Sequence, residues 1–145
     1  MGISADIAAF SAALDAAIDG AMQGPVYDGA KKQIQDTARS NVYSAYYPQF
    51  YSRRMMSGGL MDEGNMPGYY GDKTLVIRNI ATWQHLWGGE YPGELLADAI
   101  AGGSRAYNFH KAGARSFMPE AEQAFGPEFE RIIAGALASA GFTVL

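Results

Sequence analysis

The chain has 145 residues, a net charge of −4 and no cysteine. That length predicts one domain able to bury about two-thirds of its unfolded surface without staples. Lacking cysteine, it has no disulfides, thiol nucleophiles or thiolate metal sites, and two histidines (His85 and His110) are too few for a histidine-rich one. No apolar run approaches the ~18 residues of a membrane span. Asp6, Asp15 and Asp19 argue against a signal peptide, so the chain is expected to be intracellular when made. The mild negative charge gives no general affinity for nucleic acid. Its sign varies along the chain. Residues 1–24 carry three acids and no base, residues 25–60 two acids and five bases, and residues 61–104 six acids and two bases. Alternating charge of this kind suits contact between copies of the chain, and equally suits an ordinary scattered surface.

Ile3, Ile7, Phe10, Leu14 and Ile18 mark one face of a first helix, with Ser4 as the candidate N-cap. Pro25 fits the first position of a second helix running to about Tyr46, or a kink in one long helix. Tyr27, Ala30, Ile34, Ala38, Val42 and Ala45 form its apolar stripe; Asp28, Lys31, Lys32, Gln35, Asp36 and Arg39 form its wet face.

Tyr43 to Asn65 is dense in aromatics, arginines and glycines. Proline at 48 ends the helix, because the residue before proline is driven toward extended geometry. Ser57-Gly58-Gly59 allows a turn with positive φ, and Leu60-Met61 is a candidate strand start. Arg53 and Arg54 leave the helix together and call for carboxylates or a partner; Asp62, Glu63 and Asp72 are their candidate counterparts across a subunit boundary. Met55, Met56, Met61 and Met66 divide evenly between a core role and packing on a neighbouring subunit. Residues 55–73 read as a hairpin arm or a long loop.

Lys73 to Ala81 is the firmest strand. Val76, Arg78 and Ile80 share one face and Leu75, Ile77 and Asn79 the other, and the apolar run predicts that both faces are mostly covered. Thr82 to Tyr91 looks irregular, and Gly93 to Ala101 reads as a short helix stopped by Gly102-Gly103. Ser104 to Arg115 carries Arg105, Lys111 and Arg115 with no acid, and Tyr107 and Phe109 alternate with polar neighbours. The aromatics suit apolar anchors at a contact with a partner, and the plainer reading is a core hairpin. Ser116 is an N-cap candidate for a last helix with a restart or kink at Pro127 and a cap at Gly141. Phe142 to Leu145 is a candidate closing strand.

No catalytic constellation is present. G-x-S-x-G, P-loop and H-E-x-x-H patterns are absent. Asp62-Glu63 reads as a solvated pair and His85, between tryptophans, as a packed ring. The aromatic and basic mixture at 43–54 could stack single-stranded bases, but a structural corner with its arginines at a subunit interface is favoured.

The order of four blocks resembles the minor tail, neck or tail-completion proteins of long-tailed bacteriophages. They are V-Y-x-A-Y-Y-P-x-F-Y-x-R-R at Val42 to Arg54, G-G-L-M-D-x-x-N at Gly58 to Asn65, L-V-I-R-N at Leu75 to Asn79, and L-A-D-A-I-A-G-G at Leu96 to Gly103 followed by A-R-S-F-M at Ala114 to Met118. Ser116 stands where relatives usually carry proline. The resemblance implies an α+β domain with N-terminal helices, a small mostly antiparallel sheet and a C-terminal helix packed on it. It implies a virion protein of the neck, without enzymatic activity or cofactor, joining head to tail as a homo-oligomeric ring. A hexamer is favoured, with a dodecamer as the alternative. Its partners would be neighbouring neck or tail proteins and DNA in the channel, not a membrane. The rival expectation is a small soluble module that binds peptide or nucleic acid.

Overall fold

A computed structural model describes residues 2–44, 55–81, 83–84, 90–91 and 117–143. The fold is α+β, as expected. One long N-terminal helix forms its spine. Helix α1 (Ile3–Ala21) passes through a π-type turn at Met22–Val26 into α2 (Tyr27–Ala38), which ends in a second π-type turn at Arg39–Tyr43. The backbone stays right-handed helical across the joints, with φ/ψ of −64°/−41° at Met22 and −60°/−46° at Tyr27. Pro25 lies inside this run, so the single long helix is the form realised. Proline has no N–H for the carbonyl four residues back and its ring crowds that carbonyl; widening the turn relieves both. At the second widening, both the N–H and the hydroxyl of Ser44 donate to the Arg39 carbonyl, at 2.9 and 2.8 Å.

Helix α1 starts at Ile3 behind Gly2, two residues earlier than a Ser4 cap would place it. Helix α3 (Met118–Ser139) runs back along α2 and α1. It opens behind Phe117 rather than Ser116, because Phe117 is 1% exposed and anchors the first turn in the core. Pro127 lies within a continuous helix, with no restart. At the far end, Gly141 takes φ 92°, Gly141 N–H donates to Ala138 and Phe142 N–H to Leu137. This pairing of a left-handed residue with two backward bonds satisfies the last carbonyls, as the sequence position of Gly141 predicted. It also turns Phe142 onto Phe10, edge to face at 5.2 Å, so neither Phe142 nor Thr143 joins a strand.

Strands β1 (Gly68–Gly71) and β2 (Thr74–Ile77) form an antiparallel hairpin in the register Tyr69↔Val76 and Tyr70↔Leu75. Its two-residue turn places Asp72 and Lys73 at φ 49° and 59°, the left-handed pair that matches strand twist. Strands β3 (Trp83–Gln84) and β4 (Glu90–Tyr91) make a second short antiparallel ladder in the segment whose sequence reads as irregular.

The core has two clusters. Ile34, Ala38 and Val42 of the spine meet Leu60, Met61, Met66, Ala81, Phe117 and Ala121. Further along, Met22 and Val26 meet Phe125, with Tyr70, Leu75, Ile132 and Ile133 packed around them. The methionines therefore divide: Met61 and Met66 are fully buried, Met55 packs on the core edge and Met56 is exposed. Leu60 and Met61 enter this core from a turn, not a strand.

Candidate functional site

The glycine-rich segment from Met55 to Met66 is a turn-rich loop clasped by side chains from three directions. From the spine, Tyr27 Oη donates to the Met66 carbonyl at 2.7 Å and Gln35 Nε2 to the Met61 carbonyl at 2.8 Å. Tyr43 Oη accepts the Leu60 N–H at 3.1 Å. Beyond β2, Asn79 Nδ2 donates to the Leu60 carbonyl at 2.7 Å, and Asn79 Oδ1 accepts the Ala81 N–H. Within the loop, Asn65 Nδ2 reaches the Gly59 carbonyl at 3.0 Å. Buried carbonyls need such partners, and a loop without ladder bonds has to find them in side chains. Gly58 supplies a φ of 77°, and Gly59 lies so close under Met55 that a Cβ would stand 2.5 Å from the Met55 N and O.

Asp62 and Glu63 have separate duties. The Asp62 carboxylate accepts the Gly58 N–H at 2.6 Å and the Gly64 N–H at 2.9 Å. Those two backbone donors hold its pKa below the usual carboxylate value. Asp62 is thus a fastener of its own loop. Glu63 reaches Lys31 Nζ at 3.3 Å, and Lys31 also meets Asp28 at 3.3 Å and lies 4.4 Å above the Tyr27 ring centroid. Burial opposes the charge on Lys31, but its bonds to Glu63 and Asp28 outweigh that and raise its pKa. Gln35 and Lys31, assigned to the wet face by sequence, therefore turn toward the loop: Gln35 is 9% exposed. The pattern misled because both are polar types whose partners lie far along the chain.

Arg53, Arg54, Arg105, Tyr107, Phe109, Lys111 and Arg115 lie outside the described residues, as do the short helix over 93–101 and Ser116. Asp62 and Glu63 are the two expected interface residues that the structure places.

A second fastening joins hairpin to spine. Asp19 Oδ1 accepts from Tyr70 Oη at 2.5 Å and from Lys73 Nζ at 2.6 Å, with Asp15 3.4 Å from the same ammonium. Lys73, then Tyr70, lowers the Asp19 pKa, and Asp19 in turn raises both of theirs.

Among the described residues, three apolar surfaces remain exposed. On α1, Ile7 is 61% and Phe10 57% exposed, while Leu14 and Ile18 are half-buried. The first turns of α1 thus extend past the packed body instead of folding back onto α2. On the hairpin, Tyr69, Val76 and Ile80 face outward, so one face of the β2 segment is covered and not both. The expectation of two covered faces came from an apolar run whose outer residues Val76 and Ile80 stay exposed. Third, a groove of about 670 Å³ opens between β2 and α3, floored by Met22, Val26, Ala30 and Ile34 of the spine.

Among the described residues, no group of three His, Asp or Glu side chains is placed to hold a metal ion, and no helix is long and apolar enough to cross a membrane. No curated protein and no solved structure matches the chain. The model of one family, YomN, matches residues 6–134, which covers nearly all of the spine, the clasped loop, the hairpin and most of α3. The chain therefore belongs to the YomN family, a phage-associated protein family.

Proposed function

We propose that the chain is a non-enzymatic structural subunit of the phage particle, assembling as a ring in the neck that joins head to tail. The hexamer is the favoured ring, and its neighbours are other neck or tail proteins. The observation that carries this reading is the exposed first half of α1. A helix that leaves Ile7 and Phe10 in water at its apolar face gains little in a monomer and much against a neighbouring subunit. The outward Tyr69, Val76 and Ile80 of the hairpin add a second apolar patch on the same chain. Two different patches suit a head-to-tail contact, and head-to-tail contacts close into rings when the rotation allows. The phage-associated family and the order of the sequence blocks supply the context. The test is light scattering coupled to size exclusion, followed by electron microscopy of the largest species. Closed rings are expected. A chain that stays monomeric at high concentration, alone and with phage neck or tail proteins, overturns the reading.

A further inference from the structure

We infer that the groove between β2 and α3 receives an extended segment of another polypeptide, which adds to the hairpin as a third strand. This inference is independent of the ring reading. It begins with the parity of the hairpin bonds. Arg78 N–H donates to the Pro67 carbonyl and Ile80 N–H to the Asn65 carbonyl, continuing the ladder of which Tyr69↔Val76 and Gly71↔Thr74 are part. Residues 74, 76, 78 and 80 therefore spend their backbone groups on the β1 side. Leu75 and Ile77 direct theirs to the opposite edge, since neighbours along an antiparallel strand alternate. Among the described residues, no strand pairs with that edge.

The strand, Thr-Leu-Val-Ile, is short but carries no charge, no proline and no bulge along its edge. Its open edge looks into the groove, whose floor is the apolar spine and whose far wall is α3 with Phe125 and Phe129. A strand lying there would satisfy the two exposed N–H and C=O pairs and place alternate side chains on the apolar floor. This is recognition by strand addition, where backbone bonds give affinity and pockets choose the side chains. Among the described residues, the charged one in the lining is Glu122, exposed on α3 and without an ion-pair partner there. The occupant is accordingly an extended peptide segment with apolar residues at alternate positions and one lysine or arginine facing α3.

The test uses the full chain and a blocked heptapeptide that alternates valine with threonine and carries one lysine. Amide exchange read by NMR should show new protection at Leu75 and Ile77 and little change at Val76, already bonded to β1. Methylating alternate peptide nitrogens should abolish binding. Gly126 lines the groove, and a Cβ there meets nothing within 4 Å among the described residues. Gly126→Leu should therefore fill the groove and weaken peptide binding at least about tenfold, while melting temperature holds or rises because leucine favours helix over glycine. Glu122→Lys should weaken the lysine peptide about two- to fivefold and restore binding to a glutamate version. Protection of Leu75 and Ile77 in the free monomer would overturn the inference. So would protection that rises with protein concentration alone, which would make a second copy the occupant, and so would peptide binding that leaves these two amides unchanged.

Discussion

Asn79 and Leu60, nineteen residues apart, are joined by a 2.7 Å bond from the Asn79 amide to the Leu60 carbonyl. Leu60 is 2% and Asn79 4% exposed, so water cannot substitute. The other half of the same amide accepts the Ala81 N–H at 3.2 Å. Asn79→Ala should leave both groups without partners, at a cost of about 2–4 kcal/mol. For a domain of this size that lowers the melting temperature by about 3 °C per kcal/mol. Asn79→Asp gives a sharper test. It keeps an acceptor for Ala81 but sets a carboxyl against the Leu60 carbonyl, so burial raises its folded pKa above the unfolded value of about 3.9. Its stability deficit should be smallest below that pH, where the carboxyl is protonated in both states, and should grow as pH rises through the folded pKa. Thermal melts of the variant at acid and neutral pH check the sign.

The clasp explains which parts of the fold could be read from sequence. Helix periodicity gave the stripe Ile34, Ala38 and Val42, the turn signal at Gly58 and the cap at Gly141, because each is local: side chains three or four apart, or one glycine at one dihedral angle. Gln35, Asn79 and Asp62 were not legible as fasteners. Gln35 and Asn79 depend on contacts 26 and 19 residues away, and such a polar side chain reads as solvent-facing until its partner is placed. Asp62 acts locally, but an acid among glycines does not by itself say which backbone amides it binds. The adjacent Asp62-Glu63 pair was legible only as two acids, whereas one binds backbone amides and the other a lysine.

The glycines separate by what surrounds them. A Cβ on Gly68 would stand 2.6 Å from the Tyr27 ring, which is itself held by its bond to Met66. Gly68→Ala should then cost about 1–3 kcal/mol through forced displacement of the ring. Gly20 and Gly135 are exposed helical residues with nothing within 4 Å among the described residues. Alanine at either should stabilise by roughly 0.5–1 kcal/mol through helix propensity alone. Urea melts of the three single variants should give one loss and two gains. A gain at Gly68 would show that the ring can move freely.

Asp62 and Asp19 set the acid limb of stability. Both carboxyls lie below their ordinary pKa in the folded chain, Asp62 through the Gly58 and Gly64 amides, and Asp19 through Lys73 and Tyr70. A depressed carboxyl contributes stability above its unfolded value, near 3.9, and loses it as pH falls through the folded value. The melting temperature should therefore fall as pH drops below about 4. Asp62→Asn should melt below the natural chain at neutral pH, and the gap should narrow in acid as the natural carboxyl protonates. A gap that stays constant with pH would mean that the charge on Asp62 contributes nothing and that its geometry alone matters.

The free end of α1 separates folding from assembly. Ile7 and Phe10 are more than half exposed, and the ring of Phe142 is the aromatic contact that Phe10 makes. Ala21 and Met22, by contrast, are buried at 4% and 6% in the body. A cut at residue 22 would remove core and confuse the two effects. A cut after Ala13 removes exposed helix and spares Met22, Val26 and Phe125. The shortened subunit should melt within a few degrees of the full chain, since exposed helix contributes little to the packed body. If this face docks on a neighbouring subunit, the same cut should abolish rings, and Ile7→Glu alone should weaken them by setting a carboxylate against an apolar partner. Light scattering on both variants, with circular dichroism to verify folding, gives the answer. Unaltered rings from the shortened chain would move the subunit contact away from α1 and onto the outward Tyr69, Val76 and Ile80 face of the hairpin. Loss of folding without any ring in the parent would instead make α1 part of the monomer's own stability and leave the exposed stripe without a role in assembly.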